Sequence, residues 1–352
     1  MTLEEKIAAV KEFISHYYID RDKVQLGFSG GKDSTACYLL LLELGIDFLP
    51  AFADTDNEHP WTVEFANNLH HQVDGPEVVT VKKAPYTAER WQQKRDRLRV
   101  TLAKDHKVTQ GKRRGEIIPG FPEDIVEEMV SFVRPSGNMF LDLCIIHGMF
   151  PLRRSQFCTQ ELKLEPAREQ IIIPWLEQGY DVVSVAGIRS DESRVRATYA
   201  PFEQDLTKEY VPYMPTTVYR WNPILDWTWE DVFAMHKRHN VDPNPLYSKG
   251  MGRVGCMPCI HATKPEIRQI AMRFPEQLER IAEWEEIMGK ISRWVRHTGD
   301  PIGFMNGTVV PTGNLVHQKI EWAFTGRGDN EKDLIASDLE APACSSKYGL
   351  CE

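Results

Sequence analysis

The chain has 352 residues, of which 42% are hydrophobic and 26% are charged, and its formal net charge is −9 at pH 7. This length is enough for a complete α/β core together with a smaller second unit. The acidic balance argues against a generally basic nucleic-acid binder, although a local basic patch is compatible with it. No apolar run of the sequence approaches the roughly 18 residues that a membrane-spanning helix needs.

The cysteines and the first residues indicate the compartment. Seven cysteines are an odd number in a large chain, which favours thiols or metal ligands over a framework of disulfides. The segment from Met1 to Lys6 is amphipathic and acidic, and it lacks the cationic start and apolar centre of a signal peptide. Together these features predict a cytoplasmic protein that does not enter a membrane.

Residues 3–44 predict a helix, then a strand, a turn and a second helix. Apolar residues recur at helical spacing over 3–18, and a strand-forming run occupies 24–28. The turn that follows reads Ser29-Gly30-Gly31-Lys32-Asp33-Ser34. An apolar helical run then extends over 35–44, so the glycine turn lies between the end of a strand and the start of a helix.

This turn has the features of an anion site. Gly30 and Gly31 let the backbone bend sharply and expose its N–H groups to a polyanion. The helix N-terminus adds a partial positive charge, and Lys32 adds a full one. Asp33 or Ser34 can cap the first helical turn, while serine hydroxyls can donate to phosphate oxygens. The spacing differs from that of a Walker A loop, which has four residues between its first glycine and the Gly-Lys pair.

Two further buried strands are predicted over 46–53 and 77–81, with a helix between them that begins at Pro60. This alternation of strands and helices predicts a parallel sheet with right-handed connections. Ligands of such sheets bind beyond the carboxyl ends of the strands. Residues 29–34 and the acidic run 54–57 both lie at that edge.

Residues 82–114 contain twelve lysines and arginines against three acidic residues, with Tyr86 and Trp91 among them. One interpretation is a surface for a phosphate backbone, such as that of DNA, or for a partner protein. The other is a solvated helix followed by a loop, since runs of charge usually mean no more than that.

The later part of the chain continues the alternation before it becomes helical. A continuous apolar strand is predicted over 181–188, and helices are predicted over 122–133 and 229–239. Residues 265–297 resemble two helices that are broken near Pro275.

These elements predict an α/β protein with a doubly wound parallel sheet and a helical C-terminal extension. We expect a nucleotide-binding α/β domain over 1–262, with the basic insertion at about 82–121. Residues 263–352 then form a helical and irregular C-terminal region.

The hexapeptide 29–34 resembles the PP-loop, SGGKDS, of the N-type ATP pyrophosphatases at all six positions. In that family the loop holds the pyrophosphate end of ATP while the α-phosphate is attacked, which gives AMP transfer and releases pyrophosphate. The resemblance implies an adenine nucleotide α-hydrolase-like fold that binds ATP.

Further blocks narrow the resemblance to one branch, the phosphoadenylyl-sulfate (PAPS) reductase family in its broad sense. They are Asp54-Thr-Asp-Asn-Glu-His-Pro60, Cys158-Thr-x-x-Leu-Lys163-x-x-Pro166, Gly187-Ile-Arg189-x-x-Glu192-Ser193-x-x-Arg196, the run Asp226-Trp-Thr228 and Gly255-Cys-x-x-Cys259. The blocks occur in order and span about residues 20–262.

Two departures decide which activity the resemblance implies. Reductases of the family bind a finished adenylyl-sulfate nucleotide, their loops usually depart from SGGKDS, and they carry a nucleophilic cysteine in a C-terminal Glu-Cys-Gly-Leu-His motif. Here the loop is intact and the tail reads Tyr348-Gly-Leu-Cys351-Glu352. The pattern is similar to the ATP-pyrophosphatase component of DNA phosphorothioation systems and to related phage-type proteins. We therefore predict an ATP pyrophosphatase of sulfur transfer.

This function implies an acceptor that is activated by adenylylation and a sulfur-donor protein similar to a cysteine desulfurase. A first alternative is a thiol-dependent reductase of adenylyl sulfate that releases sulfite, uses a thioredoxin-like donor and depends on Cys351 or Cys344. A second alternative is a regulatory protein that binds nucleotide without turnover.

The resemblance also implies the residues of the nucleotide site. The catalytic candidates are Lys32, Asp33, Ser34 and Arg189. The nucleotide-binding candidates are Ser29, Gly30, Gly31, Lys32, Asp33, Ser34, Asp54, Lys163, Gly187, Arg189, Glu192 and Arg196. Nucleotidyl transfer needs positioning and charge neutralisation more than covalent help, so Lys32 and the loop amides would hold the departing pyrophosphate. Asp33 or Asp54 would bring Mg²⁺.

The two arginines that follow the strand at 181–188 have two interpretations. Arg189 and Arg196 would offer bidentate forks to phosphates. Alternatively, they form surface ion pairs with Asp191 and Glu192.

The cysteines suggest a metal site. Cys256 and Cys259 place two thiolates within reach of one ion, but one such pair is half a site. The resemblance adds Cys158 at the position of a family ligand, whereas Phe157 replaces the other cysteine of the family's doublet. The candidates for the fourth ligand are Cys344 and, behind it, Cys144, Cys351 and His261. A 4Fe–4S cluster, a zinc site with three cysteines and a histidine, and a bare reduced site are the three alternatives.

Overall fold

The computed structural model of the chain describes residues 1–17, 23–109, 114–152, 155–205, 216–305 and 313–326. The predictions made for Cys344, for Cys351 and for part of the basic stretch, residues 110–113, lie outside these residues.

In chain order, the described strands are β1 (Lys23–Phe28), β2 (Leu49–Asp54), β3 (Val79–Lys82), β4 (His106–Lys107), β5 (Ile117–Ile118), β6 (Val182–Ala186), β7 (Phe202–Gln204) and β8 (Val218–Trp221). The α-helices are α1 (Leu3–Tyr17), α2 (Lys32–Glu43), α3 (Pro60–Gln72), α4 (Ala88–Leu102), α5 (Glu123–Ser131), α6 (Met139–His147), α7 (Phe157–Thr159), α8 (Glu165–Ala167), α9 (Ile173–Glu177), α10 (Trp229–Arg238), α11 (Lys264–Arg273), α12 (Pro275–Lys290), α13 (Arg293–Thr298) and α14 (Val316–Ala323). Helical turns of the π type occupy Gln160–Leu164 and Arg168–Ile172, and short 3-10 helices occupy Ser190–Glu192 and Arg196–Thr198.

Six strands form one sheet in the order β3–β2–β1–β6–β8–β7. Strand β1 pairs in parallel with β2 and β6, β2 pairs with β3, and β6 pairs with β8, whereas β7 runs antiparallel to β8 at the edge. The chain builds the sheet outward from β1, first on one side and then on the other. The predicted doubly wound parallel sheet is therefore confirmed, and its strand order reverses between β1 and β6.

Side chains alternate between the two faces of the sheet along each strand, and buried apolar residues lie on both faces. Val24 and Leu26 of β1 are buried in a core with α2 and α10. In β2, Phe52 joins the same core, while its neighbour Ala51 packs with Ile171 in another cluster. Helices therefore cover both faces, which leaves the strand ends as the place for a ligand.

The described residues divide into two compact units. The first comprises Met1–Lys83 and Thr159–Met257 and contains the six-stranded sheet. The second comprises Ala84–Cys158 and the described residues from Pro258 onward, and it contains the β4–β5 ladder with helices α4–α6 and α11–α14. This division differs from the expected one, because the basic insertion groups with the C-terminal helices.

Contacts inside the second unit explain the difference. Phe140 of α6 stacks on Trp284 of α12 with ring centroids 5.5 Å apart, and Arg296 of α13 lies 3.1 Å from Glu128 of α5. The partners of the second pair are 168 residues apart in the chain, so no local sequence pattern could have revealed them.

Most predicted elements are present, with shifts of a few residues at their ends. The second strand starts at Leu49 instead of residue 46, and the third ends at Lys82 instead of residue 81. Pro60 is the first residue of α3, and the break at Pro275 separates α11 from α12, as predicted. Among the described residues, no helix is both long enough and apolar enough to cross a membrane.

Candidate nucleotide site

The predicted loop lies where the sheet reverses its strand order. Strand β1 ends at Phe28 and α2 begins at Lys32, so residues 29–31 make the whole turn between them. The parallel strands β2 and β6 flank β1 on its two sides. Sheets of this kind bind ligands in the crevice beyond the carboxyl ends of two such strands.

The turn is held by hydrogen bonds among its own residues. The Ser34 hydroxyl donates to the carbonyl of Gly31 at 3.0 Å and lies 3.1 Å from Ser29 Oγ. The backbone N–H of Ser29 donates to Ser34 Oγ at 3.1 Å. Gly30 has a φ of +70°, and a Cβ there would lie 3.0 Å from Thr62 Cγ2. Both the backbone conformation and the available space therefore favour glycine at this position.

The first turn of α2 receives no side-chain cap from its N-cap residue, which is Gly31. The prediction that Asp33 or Ser34 caps the helix is wrong, because the Ser34 hydroxyl bonds to the turn and the Asp33 carboxylate bonds to cations. The N–H groups at a helix start lack intrahelical partners and carry the positive end of the helix dipole. Such an end beside two serine hydroxyls is suited to phosphate oxygens.

Asp33 connects two buried cations at the loop. Its Oδ2 accepts a hydrogen bond from Lys32 Nζ at 2.7 Å, and its Oδ1 accepts one from Arg189 Nε at 2.7 Å. Lys32 and Arg189 each expose 4% of their surface, and Arg189 also pairs with Asp191 at 2.7 Å. Burial acts to lower the pKa of Arg189, but Asp33 and Asp191 outweigh it and raise that pKa above its ordinary value. Arg189 therefore stays charged although it is buried.

The end of β6 is in direct backbone contact with the start of α2. A Cβ on Gly187 would lie 2.8 Å from the carbonyl oxygen of Asp33 and 2.8 Å from the backbone nitrogen of Ser34. Glycine thus allows the close approach that brings Arg189, two residues further on, to the Asp33 carboxylate.

Two carboxylates lie at the end of β2, next to β1. Lys82 Nζ lies 3.3 Å from Asp54 Oδ2 and also pairs with Asp56. The backbone N–H of Asp56 donates to Asp54 Oδ1 at 2.9 Å, which supports a φ of 62° that is uncommon for a residue with a side chain. Each carboxylate is 23% exposed, so a cation from solvent can reach them.

Lys163 lies beside the buried carboxylate of Glu58, for which the sequence predicted no role. Its Nζ is 3.5 Å from Glu58 Oε1, and the Glu58 side chain is 2% exposed. Glu58 also accepts hydrogen bonds from the backbone N–H of Thr55 at 2.9 Å and from Cys256 Sγ at 3.4 Å. These contacts join the predicted nucleotide ligand Lys163 to a predicted metal ligand through Glu58.

Glu192 and Arg196 pair with each other, and their side chains are 27% and 40% exposed. Glu192 also accepts the backbone N–H of Arg189 at 3.2 Å. Both arginines make the ion pairs of the alternative interpretation, Arg189 with Asp191 and Arg196 with Glu192. Arg189 lies in addition at the loop, where it pairs with Asp33.

Three residues without a predicted role contact the loop backbone. His236 Nε2 donates to the Lys32 carbonyl at 2.9 Å, and Asn244 Nδ2 donates to the Gly30 carbonyl at 3.1 Å. The backbone N–H of Lys32 donates to the Tyr247 hydroxyl at 2.9 Å. The one sequence signal here is that Asn244 precedes a proline, which is typical of a turn.

Comparison with known proteins identifies the family. A family model described as the phosphoadenosine phosphosulfate reductase domain matches residues 23–262. The chain belongs to this family. The resemblance seen in the sequence blocks is thereby confirmed.

The relatives in this family differ in how much of the chain they share. A 37.8 kDa protein of the gpa 5' region of Escherichia phage 186 is 37% identical over 341 residues, which cover 92% of this chain and 95% of that protein. The adenosine 5'-phosphosulfate reductase of Burkholderia cepacia is 37% identical over 81 residues, 23% of this chain and 29% of that enzyme. The PAPS reductase of Candida auris, solved as a phosphate complex, matches 71% of this chain and 89% of its own at 13% identity, with a TM-score of 0.42.

The metal site stays a prediction. Cys256 belongs to the first unit, whereas Cys158 and Cys259 belong to the second. Among the described residues there is no disulfide and no group of three or more His, Cys, Asp or Glu side chains that could hold a metal ion. Burial, with a smaller effect of Cys158, raises the pKa of Cys144 well above its ordinary value, which disfavours the thiolate. The ligand set Cys158, Cys256, Cys259 and Cys344 therefore stays a prediction, and Cys344 lies outside the described residues.

In the basic stretch, one arginine of α4 forms an ion pair within the second unit. Arg99 Nε and NH2 donate to the two carboxylate oxygens of Glu127 at 2.6 and 2.9 Å. Arg97, Lys104 and Lys107 are exposed. The exposed cations are therefore the part of this stretch that an anionic partner can reach.

We expect Gly187→Ala to lower the free energy of unfolding by about 1–3 kcal/mol, because the new Cβ has to push the start of α2 away from β6. Urea denaturation measures this change. Gly27→Ala is the matched control, since a Cβ on Gly27 would meet the Val185 carbonyl at an ordinary 3.6 Å. Equal stability of the two variants would contradict the close approach.

A second prediction concerns pH. Burial is the largest influence on His236 and lowers its pKa below the ordinary 6.5, so the folded protein binds this proton less readily than the unfolded chain does. The stability that neutral His236 contributes is therefore present above pH 6.5 and is lost as the pH falls below it. In urea titrations at pH 7.5 and 5.5, we expect the stability of the natural protein relative to His236→Gln to decrease at the lower pH. A difference that does not change with pH would show that His236 titrates normally.

Proposed function

We propose that the protein is an ATP pyrophosphatase that transfers AMP to an acceptor and releases pyrophosphate, as the first step of a sulfur transfer. The observation that carries the proposal is the folded six-residue loop, in which serine hydroxyls and the N-terminus of α2 lie together at the reversal of strand order. Lys32 and Arg189 lie beside it as two cations that share the Asp33 carboxylate. Many donors at one place suit a leaving group with several negative charges.

In the proposed reaction an oxygen of the acceptor attacks the α-phosphorus of ATP. The bond from that phosphorus to the oxygen bridging to the β-phosphate breaks, and pyrophosphate leaves with the bonding electrons. Negative charge grows on the pyrophosphate in the transition state, where Lys32, Arg189 and the loop N–H groups stabilise it. A sulfur nucleophile then attacks the activated acceptor and displaces AMP.

Mg²⁺ would neutralise charge on the phosphates, and carboxylates at the same sheet edge would hold it. Asp54 suits this role, because its partner Lys82 is 43% exposed and such exposed pairs are exchanged at little cost. Asp33 is engaged by Lys32 and Arg189 and serves instead to hold these two cations.

The sulfur acceptor in this proposal is DNA, and the sulfur donor is a protein similar to a cysteine desulfurase. Both follow from the likeness of the loop and the later blocks to the phosphorothioation component. The exposed cations Arg97, Lys104 and Lys107 support the choice of DNA, because they suit contacts with backbone phosphates.

A second candidate function is a reductase of adenylyl sulfate, which the similarity to the Burkholderia cepacia enzyme favours. Such a reaction takes electrons from a thiol donor, such as a thioredoxin-like protein, and releases sulfite and AMP. Its nucleophilic thiol would be Cys344 or Cys351, outside the described residues. The two functions differ in their products, so an assay separates them.

We expect the protein to release pyrophosphate from ATP with Mg²⁺ and a DNA acceptor. Lys32→Ala should lower kcat/KM by about a hundredfold and Ser29→Ala by about tenfold, because each removes a donor to the leaving group. Ser184→Ala is the control, since that hydroxyl bonds to Gln25 at 3.1 Å in the sheet, and it should stay within about twofold. An enzyme-coupled pyrophosphate assay gives these values.

The assay also has a result that would favour the reductase. Sulfite formation from adenylyl sulfate with a thiol donor, without pyrophosphate release from ATP above background, would replace the proposed function by the reductase.

For DNA binding, we expect the triple variant Arg97→Gln, Lys104→Gln, Lys107→Gln to bind duplex DNA more weakly and with a smaller salt dependence. Each lost phosphate contact should reduce the slope of log K against log salt by about 0.9. Arg99→Gln is the control, because Arg99 is engaged with Glu127, and it should change the slope little. Fluorescence anisotropy at several salt concentrations measures both, and an unchanged slope in the triple variant would mean that this surface is merely solvated.

A further inference from the structure

Three buried side chains from one segment form hydrogen bonds with the backbone of the loop 29–34. His236 lies near the end of α10, and Asn244 and Tyr247 lie in the connection that follows it. Each of the three exposes 1% of its surface. We call these three residues the loop brace.

The brace contacts three successive peptide groups of the loop, through two carbonyls and one N–H. Asn244 holds the Gly30 carbonyl at 3.1 Å, and His236 holds the Lys32 carbonyl at 2.9 Å. Tyr247 accepts the N–H of Lys32 at 2.9 Å, and Lys32 Nζ lies 5.9 Å from the centre of the Tyr247 ring. Since a carbonyl oxygen can only accept, Nε2 carries the hydrogen of His236.

These contacts determine where the N–H groups of the loop point. In a planar trans peptide, the carbonyl oxygen and the N–H of the next residue point in opposite directions. Since Asn244 donates to the Gly30 carbonyl, the N–H of Gly31 points away from Asn244 and donates to Ser29 Oγ at 3.3 Å. With the Lys32 carbonyl held by His236, the N–H of Asp33 likewise points away from α10.

The brace is itself fixed by the core. Val232 and Met235 of α10 are buried in the same cluster as the apolar residues of α2. The Oδ1 atom of Asn244 accepts the N–H of Leu246 at 3.0 Å, which fixes the amide group so that its nitrogen faces the loop. The orientation of the loop therefore rests on packed helices and is set before any ligand binds.

We infer that His236, Asn244 and Tyr247 are positioning residues that fix the backbone of the loop and turn the N–H of Asp33 toward a bound pyrophosphate group, an inference that rests on the proposed function. They touch no reacting atom. Their effect is confined to the phosphate end of the nucleotide, because the atoms they hold belong to residues 30–32. A merely structural role would instead affect every ligand of the site alike.

The test compares the binding of inorganic pyrophosphate and of AMP, each with Mg²⁺, by isothermal titration calorimetry. Tyr247→Phe and His236→Leu each remove one hydrogen bond, and we expect each to weaken pyrophosphate binding about fivefold to tenfold while AMP binding stays within about twofold. His236→Gln keeps a donor near the position of Nε2, so it should restore pyrophosphate binding to within about threefold of the natural protein.

Tyr38→Phe is the matched control. Tyr38 is fully buried in the same unit, and its hydroxyl donates to the Pro76 carbonyl at 2.7 Å. It should leave both affinities unchanged. Circular dichroism melting of every variant shows whether it is folded, and Tyr247→Phe keeps the test valid if His236→Leu does not fold.

The outcomes separate the two claims. Pyrophosphate binding by the natural protein that Tyr247→Phe and His236→Leu do not weaken would overturn the brace alone. Equal weakening of AMP and pyrophosphate, or the same loss in Tyr38→Phe, would also overturn it, since the residues would then be structural. Failure of the natural protein to bind pyrophosphate would overturn the proposed function and the brace together.

Discussion

The Asp33 carboxylate joins the start of α2 to Arg189, three residues beyond the end of β6, and the other features of the site depend on this contact. Each of its oxygens accepts one hydrogen bond at 2.7 Å, from Lys32 on one side and from Arg189 on the other. A buried cation without a partner would cost several kcal/mol, which is comparable to the net free energy of unfolding of many domains. Asp33 offsets this cost, and it also fixes two positive charges at one place before a substrate arrives. Preorganised charge of this kind is what a reaction with an anionic leaving group needs.

Backbone contacts bring the parts of the site together. Gly187 lets the end of β6 touch the first turn of α2, so that Arg189 reaches Asp33. On another part of the loop, the brace of His236, Asn244 and Tyr247 holds its carbonyls and one N–H. The loop is therefore oriented by neighbours that lie far away in the sequence, although its own six residues supply the hydroxyls and the glycine turn.

Several features that depend on short stretches of sequence were predicted correctly. The glycine turn between strand and helix, the parallel sheet and the place of Arg189 beyond a strand end all followed from short motifs and periodicity. Lys163 belongs to the same motifs, yet it pairs with the distant Glu58, because the partner of a long charged side chain depends on tertiary packing. Arg196 pairs with Glu192, four residues before it, which the sequence had offered as an alternative. The brace was not predictable, since His236 and Lys32 are 204 residues apart. The basic insertion groups with the C-terminal helices for a similar reason: its contacts are non-local.

The most direct measurement is a crystal structure of the protein with Mg²⁺ and an ATP analogue that cannot be cleaved between its α and β phosphates. We expect the β and γ phosphates to lie within about 3 Å of N–H groups of residues 29–34 and of Lys32 Nζ, with the α-phosphorus turned outward for attack. Phosphates that point away from this loop, or side chains that fill it, would contradict the account, and family membership would then say nothing about the reaction.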